Sequence, residues 1–295
     1  MFSHHEELAY TVRVDKPNPV FARLLQQAIG GPEGEMRVMN QYLFQAWGTR
    51  GPKRYRDMLL HTGTEEIGHI ELLATAVAMN LEGAPSEVVD DVVTNPLVAA
   101  RMGGMEPRHL LSGGLAAMPS DSNGVPFNAA CIDVGGNLVA NMHANVAAEA
   151  IGRTLAARLR EATDDPGMKD MLSFLIARDT MHQQQWLAAA EELNPEHRAA
   201  PTDVSDGDPH EQYAHAFFAH ADAPVPEDAA WASGEAPDGG RFSVVNAPRL
   251  GQEPELAKAP LAIHAGPEAT RPDDDGSDPG LLGKAKQAVD QIAGG

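Results

Sequence analysis

Apolar positions in this chain recur at three- and four-residue steps over long stretches without proline, the pattern of helices that each bury one face. Between residues 19 and 29, Val20, Phe21, Leu24, Leu25 and Ala28 form the first stripe, and Gly30 and Gly31 stop it. Pro32 opens a second helix of about four turns, lined on one side by Met36, Met39, Tyr42, Leu43, Ala46 and Trp47 up to Gly48. Residues 53–81 carry Leu59, Leu60, Ile67, Ile70, Leu73, Ala74 and Val77 at helical spacing, which predicts a third, long helix stopping at Gly83. Two more long helices are predicted over residues 136–162 and 168–193, separated by the turn signal Asp164, Asp165, Pro166, Gly167.

Residues 85–127 are rich in Gly, Pro, Ser and Met and show only weak helical patches, so they read as a long crossover. Such a connection suits a ferritin-like arrangement. The expected fold is therefore all-α: a ferritin-like four-helix bundle over residues 1–195, followed by an extended acidic arm over residues 196–295. From residue 200 onward there are 17 acidic and 6 basic side chains, which supply more than half of the chain's net charge of −20. The aromatic residues Tyr213, Phe217, Phe218, Trp231 and Phe242 favour an ordered arm, packed on the bundle or a neighbouring subunit, over a disordered tail. Leu281, Leu282, Ala285, Ala288, Val289 and Ile292 would form one apolar face of a terminal helix, and that face needs a partner.

The acidic balance opposes binding to nucleic acid or to anionic membranes, and leaves small neutral substrates unaffected. Cys131 is the one cysteine, so no internal disulfide is available and the fold does not depend on an oxidising compartment. Charged and polar residues occupy the positions where a signal peptide needs an apolar run, and no stretch approaches the ~20 apolar residues of a membrane span. The expected location is the cytoplasm.

The informative chemistry is a pattern that occurs twice. Glu35 is followed on the next long helix by Glu66 and, three residues later, His69; Glu149 is followed on its neighbour by Asp179 and, three residues later, His182. Residues at i and i+3 project from one helix face, so Glu66 and His69 reach one point together, and an antiparallel neighbour brings Glu35 level with them. The repeat on the opposite helix pair adds a second set across the bundle axis, which is how such bundles hold two metal ions. Taken singly, each residue has a plainer explanation, such as a helix-terminal acid, a surface charge or a hydrogen-bonded core histidine. The recurrence on four helices, within apolar surroundings that make a buried carboxylate expensive, favours a dinuclear site. Glu65 and Glu71 fall elsewhere on their helix and read as solvent charges, and His4, His5, His61 and His143 have no comparable partners.

At this point the sequence resembles the manganese catalases, through VRVDKPNPVF (residues 12–21), GGPEGEMRVMNQYLFQAW (30–47), TEEIGHIELLA (64–74), NVAAEAIGR (145–153) and the helix of His182. The resemblance is close over about the first 195 residues. It implies two manganese ions held by Glu35, Glu66, His69, Glu149 and His182, with Glu66 bridging both and solvent oxygens completing the bridge. It also implies hydrogen peroxide as substrate, two-electron redox cycling between the ions, and a homohexamer. Glu35 is the expected proton relay. Asp179, one methylene shorter than the Glu of di-iron oxidases, suits an acid that supports the ligands from outside, so the chemistry is assigned to Glu35, Glu66 and Asp179. Three carboxylates and two imidazoles suit manganese or iron alike, which keeps a di-iron oxidase or ferritin-like iron-handling protein as the alternative. A coat or shell protein with a vestigial site is a further rival, opposed by the presence of all five ligands. Some family members carry an arginine where this chain has Ala148; Arg153 is its replacement or an ordinary surface arginine. A calcium ion, known in some relatives, has Asp57 as its one legible ligand here.

Overall fold

The computed structural model of the chain describes residues 6–82, 104, 106–198, 210–219, 225–226, 228–246 and 251. The expected helix near residues 281–292, most of the first part of the crossover, and His4 and His5 lie outside these residues. The chain divides into two compact units, Met1–Phe217 with Pro226–Ser243, and Phe218–Val225 with Val244–Gly295. Among the described residues the helices all belong to the first unit.

Several of the helices start where a side chain accepts from their free N–H groups. Helix α1 (Pro19–Gly30) follows Asn18, whose side chain accepts from the N–H groups of Val20 and Phe21. Helix α2 (Glu35–Gly48) begins three residues later than the apolar pattern suggests, because Pro32 and Glu33 sit in a turn closed by a 3.0 Å bond from the Gly34 N–H to the Gly31 carbonyl. Helix α3 (Lys53–Leu81) is the long proline-free segment, α4 (Pro107–Leu111) is a single turn in the crossover, and α5 (Leu138–Glu161) is capped by Asn137. Helix α6 (Pro166–Leu193) corrects the predicted turn: Pro166 is its first residue, and the Asp165 carboxylate accepts from the Met168 N–H at 3.0 Å.

Among the described residues the core is two apolar clusters. The first joins Phe21 and Leu25 of α1, Leu72, Leu73 and Leu81 of α3, Leu159 of α5, and Met168, Leu172 and Leu175 of α6. The second joins Tyr42 and Ala46 of α2, Tyr55 and Leu59 of α3, Met142 of α5, and Trp186 and Ala190 of α6. Helices α3 and α5 therefore both run from the second cluster to the first, while α6 runs the other way. A chain leaving α3 must return along its whole length, about 43 Å at 1.5 Å per residue, before α5 begins. This is the physical reason for the long crossover. Its return is tied to α1: the Gln26 side-chain amide donates to the carbonyls of Met118 (2.6 Å) and Ser120 (2.8 Å) and accepts from the Met118 N–H. The amino-terminal segment is tied to α6, where Asp165 also accepts from the N–H groups of Asp15 and Lys16.

Beyond the bundle, strand β2 (Gly234–Glu235) pairs antiparallel with β3 (Arg241–Asn246), Gly234 opposite Phe242 and Glu235 opposite Arg241. The Ser243 N–H donates to the His215 carbonyl, which brings the start of β1 (Ala216–Ala219) alongside β3. Phe217 packs edge-on against Trp231 with ring centroids 4.9 Å apart. These aromatics, expected to order the arm, meet each other.

The glycine before α2 sets the height of Glu35. A Cβ on Gly34 would lie 2.6 Å from the Ala28 carbonyl oxygen, so only glycine lets α2 start against the end of α1. Gly34→Ala is expected to lower stability by about 1–3 kcal/mol through this overlap, measured by chemical denaturation of the metal-free protein. An unchanged midpoint would show that the contact is not tight.

Candidate metal centre

Between the two apolar clusters lies a belt of polar side chains, one level on each of four helices. Glu35 is the first residue of α2, where the partial positive charge of the helix end favours a carboxylate. Glu66 and His69 are on α3, Glu149 is on α5, and Asp179 and His182 are on α6. All are buried except Glu35, whose side chain remains 14 % exposed.

Glu66 is the centre of the belt. Its Oε2 lies 2.6 Å from His69 Nδ1 and its Oε1 lies 2.9 Å from His182 Nδ1. Glu35 Oε1 is 4.0 Å from the same nitrogen of His69, and Glu149 Oε1 is 3.5 Å from that of His182. Two groups of possible metal ligands result, Glu35 with Glu66 and His69, and Glu66 with Glu149 and His182; within each, the ligand atoms lie within 4.8 Å of one another. They share Glu66. Both carboxylate oxygens of Glu66 and all four ring nitrogens of the two histidines are buried without an aligned hydrogen-bond partner. Buried polar atoms seldom stay unpaired, and these converge on two points, so the donor set fits two cations.

The electrostatics agree. Burial, together with the charges of Glu66 and Asp179, holds the Glu35 carboxyl well above the ordinary carboxylate range. Burial also raises Glu149, and it raises Asp179 to about 7 with help from the charges of Glu149 and Glu66. Glu66 goes the other way: burial would raise it, but His69 and His182 outweigh that and pull it down to about 2. Burial opposes a charge on His182, yet Glu149, Glu65 and Glu66 push it up to about 12. Carboxylates this crowded hold protons or cations, and metal ions compete for the same atoms.

Asp179 is buried in the belt and belongs to neither ligand group. Asp57 accepts from Lys53 at 2.6 Å one turn away, and neither ligand group includes it. Ala148 is buried against the second cluster. Arg153 is not an ordinary surface arginine: its Nη1 is buried without a hydrogen-bond partner.

Several neighbours escaped the sequence reading. Tyr42, predicted as a core residue, donates its buried hydroxyl to Glu149 Oε1 at 2.5 Å. The signal was its place seven residues after Glu35, on the same helix face. Asn145, one turn before Glu149, accepts from Gln41 (2.8 Å) and Gln45 (2.9 Å) and donates back to Gln45, locking α2 to α5 beside the site. Glu65 is no free solvent charge. Arg178 of α6 grips it, and its oxygens approach the outer nitrogens of both histidines.

Comparison with known proteins shows which family the chain belongs to. The sequence profile of the family described as manganese containing catalase matches residues 1–274. A manganese catalase of Bacillus subtilis strain 168 is 43 % identical over 266 residues, which cover 90 % of this chain and 97 % of the relative. The manganese catalase of Lactiplantibacillus plantarum is 36 % identical over 266 residues, with 90 % and 98 % covered. In three dimensions the chain is similar to the crystal structure of KatB, a manganese catalase from Anabaena, with a TM-score of 0.65, 24 % identity, and 83 % of this chain and 99 % of that one covered. At that identity the structural likeness speaks for the fold alone, and it is the ferritin-like bundle that the apolar pattern predicts. With a family profile spanning most of its length and relatives matched nearly end to end, this chain belongs to the manganese catalase family.

Proposed function

We propose that Glu35, Glu66, His69, Glu149 and His182 hold the dinuclear manganese centre of this catalase, with Glu66 shared between the two ions. The activity is the disproportionation of hydrogen peroxide to water and dioxygen. The observation that carries the ligand assignment is Glu66, buried at the centre with one oxygen toward each imidazole. When bound, the two manganese ions supply the two-electron redox capacity of each half-reaction and act as Lewis acids toward peroxide.

The chain's own residues supply the rest. Glu35 is the least buried of the five, which places it best to take a proton from peroxide and return it to departing water. The Tyr42 hydroxyl holds Glu149 in place from outside. Asp179 supports the site's geometry without touching the reacting atoms. The apolar clusters above and below the belt keep bulk water and larger reductants out.

The first 195 residues would form the catalytic body and residues 196–295 the arm. A homohexamer remains the expected assembly; the edge-packed pair Phe44 and Trp47, each more than half exposed on α2, supports self-association. Among the described residues no helix is long and apolar enough to cross a membrane, and the cytoplasm remains the proposed location.

Purified protein is expected to contain two manganese per chain by elemental analysis and to release oxygen from peroxide, with both lost in Glu66→Ala. Two iron per chain with oxygen consumption would support the di-iron oxidase instead. Tyr42→Phe removes a buried donor to Glu149, and a loss of about 10–100-fold in manganese affinity is expected in chelator competition; parent affinity would remove Tyr42 from the support of the site. Sedimentation at six times the mass of one chain is the expected assembly result, and a monomer would contradict it.

A further inference from the structure

His69 and His182 turn their Nδ1 atoms toward Glu66 and their Nε2 atoms the opposite way, with ring centroids 5.6 Å apart and planes 24° from parallel. An imidazole that ligates through one nitrogen carries its proton on the other. That N–H needs an acceptor, which fixes the ring's orientation and makes it a stronger ligand. Both Nε2 atoms are buried and lack an aligned hydrogen-bond partner. One group approaches both of them. Glu65 Oε2 is 3.2 Å from His182 Nε2 and Oε1 is 3.6 Å from His69 Nε2, the first within hydrogen-bond reach and the second just beyond it.

Glu65 does not swing freely in solvent, although its side chain is one-third exposed. Arg178 grips it in a fork, Nε to Oε1 at 2.6 Å and Nη2 to Oε2 at 3.3 Å. The pairing has a simple geometric origin. Glu65 precedes Glu66 on α3, and Arg178 precedes Asp179 on α6. On each histidine-bearing helix, one of the two adjacent residues points into the belt and the other reaches around the outside of the rings.

We propose that Glu65, held by Arg178, is a positioning residue shared by both histidines, a single acceptor that sets His69 and His182 with Nδ1 inward. The proposal rests on the ligand assignment above. An ion pair with merely structural purpose would contribute little at this exposure, and would have no reason to direct its two oxygens at two imidazoles. Sharing one acceptor also ties the two rings together, so disturbing Glu65 loosens both halves of the dinuclear site at once.

The test measures manganese affinity by chelator competition, the electron paramagnetic resonance spectrum of the manganese-loaded protein, and Tm of the metal-free protein, all on the full chain. Glu65→Gln is expected to lose about 10–100-fold in affinity and to alter the spectrum, with little change in Tm. Arg178→Lys keeps the charge but not the fork, and a several-fold loss of affinity is expected. The charge-reversed pair Glu65→Arg with Arg178→Glu keeps an ion pair between the helices but puts a cation where the acceptor stood. It is expected to keep Tm without recovering affinity. His69→Ala and His182→Ala serve as references for loss of a ligand. If they lose manganese while Glu65→Gln keeps parent affinity and spectrum, or if the charge-reversed pair recovers both, the shared-acceptor role is overturned and the ligand assignment stands. If His69→Ala and His182→Ala both keep two manganese at parent affinity, the ligand assignment itself fails and takes this proposal with it.

Discussion

A carboxylate buried between apolar layers must be paired, hydrogen-bonded or bound to a cation, because the bare charge loses several kcal/mol of hydration on leaving water. This chain buries Glu66, Glu149 and Asp179 and largely buries Glu35 at one level of a helical bundle, with two imidazoles as their nearest positive partners. Much of the architecture answers that constraint. The apolar core is split in two by the belt; α3, α5 and α6 carry packing residues toward their ends and ligand-type residues near their middle, while α2 enters the belt at its first residue. Without cations, the belt holds its charge by raising Glu35, Glu149 and Asp179 and by protonating histidine; with two divalent ions, the same oxygens and nitrogens are satisfied directly.

The surrounding devices serve to hold the helices in register. Gly34 lets the start of α2 lie against the end of α1, so that Glu35 enters the belt from a helix terminus. The Gln41, Gln45 and Asn145 amides join α2 to α5 by paired hydrogen bonds, and the Glu65–Arg178 pair joins α3 to α6. Such buried amide networks are geometrically demanding, which makes them suited to setting the height of a ligand rather than adding much stability. The long crossover follows from α3 and α5 running the same way.

The helices and the residues of the belt were legible in the sequence because both depend on periodicity: apolar steps of three and four reveal a buried stripe, and a carboxylate three residues before a histidine reveals two polar groups on one face. Starts and stops were less legible. Pro32 and Pro166 give the same local signal, yet the first lies in a turn and the second opens a helix, since Asp165 caps one and glycines flank the other. Tyr42 and Glu65 were missed for a related reason. A tyrosine on an apolar stripe looks like packing, and a glutamate beside a ligand looks solvent-facing, until the partner helix shows what each one reaches. Those contacts join residues about 110 positions apart, beyond what spacing within one helix conveys.

Everything in this arrangement turns on Glu66 standing between two metal ions, each also held by one imidazole. Anomalous diffraction at the manganese absorption edge, from crystals of the purified protein, tests it most directly. Two peaks per chain are expected, one beside each Glu66 oxygen and each next to the Nδ1 of His69 or His182. A single peak, or two peaks away from Glu66, would contradict it.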